Sequence, residues 1–201
     1  MTDVAPFLRR WIERRALDEL EPLRDAAGVL AVPVDVESIA ARHGVIVTRV
    51  PGDFLAAIER PNLDGTPVSG MLDFANLAIW IPAAELPERQ RFSIAHELGH
   101  LLLPGHRELY ADGPRYTVTG PDGSPSDVDL TGDPGERAAR KQAAEAEADA
   151  FAAALLMPAG AVDAAVAELG PSVPLVAERL GMSAAAMRMG MARYLPRLEW
   201  A

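Results

Sequence analysis

The chain has 201 residues, a net charge of −10, 49% hydrophobic residues and no cysteine. That length buries a core as one domain with at most a small appendage, and the missing thiols exclude disulfides, thiolate metal sites and a cysteine nucleophile. The negative balance repels phosphate backbones, which argues against direct nucleic-acid binding and favours a basic protein partner.

Residues 1–20 set Arg9, Arg10, Arg14 and Arg15 among Trp11, Ile12 and Leu17. This amphipathic pattern predicts helix over 3–27 and lacks the apolar region of a secretory signal. No stretch reaches the ~20 apolar residues of a membrane span, so a cytoplasmic protein without membrane contacts is expected. A second helix is predicted over 33–43, where Val36, Ile39 and Ala40 recur at helical spacing. His43-Gly44 closes it, with His43 as cap residue and not as ligand. Residues 45–50 read as a strand, and 68–73 followed by 77–81 as a hairpin turning at Phe74-Ala75-Asn76. Such a sheet either offers an edge to an extended peptide or only covers the core.

Pro87 and Glu88 suit a first helical turn, Phe92, Ile94, Ala95, Leu98 and Leu101 to Leu103 give a nearly all-round apolar surface, and Pro104-Gly105 ends the helix. This buried helix carries His96-Glu97-Leu98-Gly99-His100. At ~3.6 residues per turn the two imidazoles project from one face, close enough to share a cation, with Glu97 beside them. The pattern is that of a zinc site with its own general base, since zinc lowers the pKa of bound water from ~15.7 to about 7 and polarises a carbonyl. The competing reading, two core histidines and a glutamate at this spacing by chance, is weakened by the helical context.

Residues 104–135 are rich in glycine, proline and aspartate and read as a long loop with at most the strand Tyr116–Thr119. The loop is either a lid or an insertion without consequence. Asp133-Pro134-Gly135-Glu136 then opens a helix in capping-box arrangement, and Pro158 stops it after Met157.

A catalytic zinc needs three protein ligands, and two candidates compete for the third place. His106 follows His100 by six residues, but Leu103 stands where a metzincin has its turning glycine. Glu147 shares an i, i+4, i+8 row with Phe151 and Leu155, which points it inward, whereas Glu145 and Asp149 lie on a neighbouring row. A carboxylate on an inward row needs a partner, and a cation on the facing helix would serve; an arginine is the alternative.

RQRFSIAHELGHLLL at 89–103 and EADAFAAALLMP at 147–158 together resemble the ImmA/IrrE family of bacterial zinc metallopeptidases, and PVDVESIAARHGVIV at 33–47 is similar to its N-terminal helix and strand. The likeness covers about 30–195. HExxH alone occurs in many peptidases; the downstream segment is the specific part. The resemblance implies that His96, His100 and Glu147 ligate Zn²⁺, that Glu97 is the catalytic base, and that Asp149 steadies a ligand or the zinc helix. It further implies cleavage of a helix-turn-helix repressor, encoded nearby and controlling stress or mobile-element genes, so that repression is relieved. The insertion at 104–135 and the want of an N-terminal helix-turn-helix domain depart from the commonest family pattern.

Residues 173–194 read as two helices around Gly181-Met182-Ser183, in helix-turn-helix spacing. Ala184 to Met189 offer base edges one arginine among small apolar residues, so the segment is expected to pack, with Met182, Met187, Met189 and Met191 serving a core or a docking surface. The predicted fold is α+β and gluzincin-like, with a small sheet on the HExxH helix. It comprises a peptidase domain at 1–165 and a helical tail at 166–201. The rival is a zinc-stabilised regulator that binds a repressor or DNA without catalysis. Glu97 speaks against it, because a structural site needs no carboxylate beside the metal.

Overall fold

The computed structural model describes residues 4–51, 53–55, 69–110, 116–119, 125–128 and 134–194. Helix α1 (Pro6–Leu20) starts with proline at its first turn and buries Ile12, Ala16 and Leu20, one row at i, i+4, i+8. It is shorter than the expected 3–27. Pro22 removes a backbone donor, the chain tightens into a 3-10 turn at Glu21–Leu23, and Gly28 follows at φ 79°. Helix α2 (Val36–Arg42) is capped by the Asp35 side chain, which accepts from Ser38 N at 3.0 Å, and Gly44 leaves it at φ 72°.

Strands β1 (Ile46–Val50), β2 (Met71–Asp73) and β3 (Ala78–Pro82) form a sheet in the order β1-β3-β2. β1 lies parallel to β3, and β2 antiparallel with Leu72 opposite Ile79. The hairpin turns where expected, because Asp73 Oδ1 accepts from Ala75 N and Asn76 N at 2.9 and 3.0 Å. Val68, expected in β2, lies outside the described residues.

The sheet packs on α3 (Pro87–Leu102), which also contacts α4 (His106–Tyr110) and the long α5 (Pro134–Leu156). Asp133, expected as the α5 N-cap, lies outside the described residues. Between α4 and α5 the expected loop carries the predicted strand β4 (Tyr116–Thr119) and also β5 (Pro125–Val128), paired antiparallel. Pro-Ser-Asp-Val has little strand propensity by itself, so β5 owes its form to its partner. Helices α6 (Ala159–Leu169), α7 (Val173–Arg179) and α8 (Ala184–Tyr194) complete the chain. The fold is mixed α and β and mostly helical. In the tail Met182 and Met187 are buried and Met189 is exposed. Among the described residues no single helix is long and apolar enough to cross a membrane.

α1 packs along α5, and Phe151, Leu155 and Leu156 of α5 are fully buried. Burial pushes the Glu19 carboxyl up, but hydrogen bonds from His43 and Arg15 outweigh it and hold the pKa below the usual glutamate range. Glu19 Oε2 lies 2.6 Å from Arg42 Nη2 and 2.8 Å from His43 Nε2, tying α1 to the end of α2. A lowered folded pKa gives stability that is present above about pH 5 and fades as pH falls through the folded value. The stability gap between wild type and Glu19→Gln in urea unfolding should therefore be wider at pH 7 than at pH 3.

α3 and α5 approach closely at Gly99, where an added Cβ would stand 3.0 Å from Ala148 Cα and 3.3 Å from Ala148 Cβ. Both atoms sit on a packed helix and have little room to move. Gly99→Val should cost about 3 kcal/mol through overpacking, roughly 6 to 12 °C in Tm for a chain of this size. An unchanged melting curve would mean that this helix contact is looser than it looks.

Candidate metal centre

Two helices meet at Gly99 and Ala148, and the chemistry lies beside that contact. On α3, His96 and His100 stand one turn apart with their Nε2 atoms 3.0 Å from each other. Across from them on α5, Glu145 brings Oε2 to 3.1 Å from His96 Nε2 and Oε1 to 3.7 Å from His100 Nε2. Donor atoms of His96, His100 and Glu145 all fall within 4.8 Å of one another, a grouping able to hold a metal ion. Two imidazole nitrogens and one carboxylate suit zinc, which takes nitrogen and oxygen donors in sets of three at catalytic sites.

The far nitrogens have partners of their own. His96 Nδ1 lies 3.0 Å from Asp149 Oδ1, and His100 Nδ1 lies 3.0 Å from His106 Nδ1. Each ring is thereby turned so that Nε2 faces the shared point. Glu97, 8% exposed, sits beside the pair and under the start of β2: an added Cβ at Gly70 would lie 3.1 Å from its Oε1.

The expected third ligand, Glu147, is not the carboxylate that stands next to the two imidazoles. Glu147 Oε2 lies 3.1 Å from His106 Nε2 instead. The row it shares with Phe151 and Leu155 does point inward, and a half-buried carboxylate there does have a partner, but the partner is an imidazole. The line of α5 that meets α3 is the row of small residues Ala144 and Ala148, and Glu145 and Asp149 flank it on the side of the histidines. Small residues facing Gly99 were the signal for that line. His106 itself is behind His100, on the ring edge away from His96.

The electrostatics favour a cation. Burial pulls the His96 imidazolium down, yet hydrogen bonds to Asp149 and Glu145 and the nearby Glu97 charge outweigh it and raise the pKa to about 10. Burial lowers His100, helped by the neighbouring His96 charge and only partly offset by the bond to Glu145. Burial would raise the Glu145 carboxyl, but the two histidines hold it well below the usual carboxylate range. A divalent ion would answer this field.

The family described as Peptidase M78, IrrE N-terminal-like domain, matches residues 57–116 and 134–191, more than half of the chain. The chain belongs to this ImmA/IrrE family. Both helices of the metal centre fall inside the match, whereas 117–133, which holds β5 and most of β4, falls between its two parts. No curated protein matches the chain. Among solved structures, a Mycobacterium tuberculosis transcriptional regulator shares the fold with a TM-score of 0.51 and 18% identity, over 91% of this chain and 45% of that one. The chain thus spans less than half of that regulator. Typical members of the ImmA/IrrE family are metal-dependent peptidases.

Proposed function

We propose that the protein is a gluzincin-like zinc endopeptidase that cleaves a helix-turn-helix transcriptional repressor and so relieves repression. The observation that carries this reading is the convergence of His96 Nε2, His100 Nε2 and Glu145 beside Glu97, on two helices of an ImmA/IrrE chain. Zinc would be held by those three side chains, with Asp149 orienting His96 through Nδ1. When bound, it supplies a Lewis acid for the scissile carbonyl and makes water acidic enough to lose a proton near neutral pH.

Glu97 accepts that proton and returns it to the leaving amine, which is the work of a general acid and base. Its low exposure keeps bulk water from competing for the proton. Among the described residues β2 pairs only with β3, so its outer edge offers backbone groups to an extended peptide running past Glu97. The net charge of −10 favours a basic substrate region, as repressors that bind DNA possess. The naming of the M. tuberculosis chain as a transcriptional regulator supports a place in transcription control.

The test is to incubate the zinc-loaded protein with a helix-turn-helix repressor encoded beside it and to weigh the products by intact-mass spectrometry. Two fragments whose masses sum to the repressor plus one water are expected. A stable complex with intact repressor would favour the non-catalytic regulator instead.

A further inference from the structure

His100, His106 and Glu147 form a line leading away from the metal centre. His100 Nδ1 is 3.0 Å from His106 Nδ1, and His106 Nε2 is 3.1 Å from Glu147 Oε2. His106 is 2% exposed, and Pro104-Gly105, with Gly105 at φ 82°, turns the chain back so that α4 begins with this residue behind α3. Glu147 and Asp149 are the two neighbours of Ala148 in sequence, about 100° to either side of the residue that meets Gly99.

We propose that His106 and Glu147 are positioning residues that fix the tautomer and ring orientation of His100 as a zinc ligand. The proposal rests on the reading of His96, His100 and Glu145 as the ligands. A ligating imidazole is neutral and uses a bare nitrogen, so with Nε2 toward the metal the proton of His100 resides on Nδ1. That N–H donates to His106 Nδ1, which must then be bare. His106 consequently carries its own proton on Nε2 and donates it to the Glu147 carboxylate. Each link determines the next, and no group changes its charge. His96 is held by a carboxylate directly, through Asp149, and His100 is held by one through an intervening imidazole.

The experiment measures zinc affinity of the full chain by competition with a chromophoric chelator, alongside thermal melting of the metal-free protein. His106→Phe, which keeps the volume but accepts no hydrogen bond, should bind zinc roughly ten- to a hundred-fold more weakly. Glu147→Gln should show a smaller loss, and the double variant should be no weaker than His106→Phe alone, because Glu147 acts through His106. Imidazole ¹⁵N shifts of the zinc-loaded wild type should show His106 protonated at Nε2.

Wild-type zinc affinity in both single variants, even with lowered melting temperatures, would overturn the proposal and leave a merely structural pair. So would His106 protonated at Nδ1, or a His106→Phe site as empty as that of Glu145→Ala, which would make His106 a ligand. Wild-type protein that takes up no zinc would overturn the parent reading and this one with it. If His106→Phe fails to fold, Glu147→Gln and the ¹⁵N shifts still decide.

Discussion

Glu145→Ala is expected to leave the protein without stoichiometric zinc after gel filtration, while Glu147→Ala keeps one zinc per chain at reduced affinity. Glu145 brings its two oxygens to 3.1 and 3.7 Å from the facing Nε2 atoms, so its removal takes away one of three donors. The loss should exceed the roughly 10- to 100-fold that groups behind a ligand are worth. Glu147 reaches His106 and only through it the metal centre, so its loss belongs in that smaller range. Metal analysis of the two variants side by side checks the pair. The opposite pattern would return the third ligand to Glu147 and require α5 to turn about its axis.

Glu97→Gln is expected to retain zinc and to lose proteolysis by about 10²- to 10⁴-fold in kcat, the usual worth of a general base. The amide matches the carboxylate in shape and leaves His96, His100 and Glu145 in place. It has no lone pair basic enough to take the proton. Cleavage at the wild-type rate would exclude Glu97 as the base, and loss of the metal would make Glu97 a ligand.

Much of this site was legible from the residues. HExxH fixed two donors and a carboxylate on one helical turn, and the capping and stop residues around 87–105 placed them on a buried helix, because local chemistry dictates helix ends. The second helix was equally visible, but its rotation was not. Three carboxylates lie within five residues, at Glu145, Glu147 and Asp149. Apolar neighbours made Glu147 look inward, whereas the facing line runs through Ala144 and Ala148, whose meaning depends on Gly99 of another helix. A helix with several buried rows has no single inside face, and only the tertiary contact selects which row meets the histidines.

The same limit explains β5 and His106. Pro-Ser-Asp-Val becomes a strand by pairing with β4, a partner that local propensity does not reveal. The place of His106 behind His100 was not legible, since a six-residue offset says how near a side chain comes and not which edge of His100 it meets. The α1 boundary was overestimated because helical periodicity runs on past Pro22, where the backbone does not.

The most direct test of the proposed zinc peptidase activity is to strip the metal and restore it by titration up to one equivalent, while following cleavage of a helix-turn-helix repressor. The cleavage rate should rise in proportion to zinc and level off at one ion per chain, with Glu145→Ala flat throughout. A rate that ignores zinc, or a repressor that is bound at every point and never cut, would contradict it.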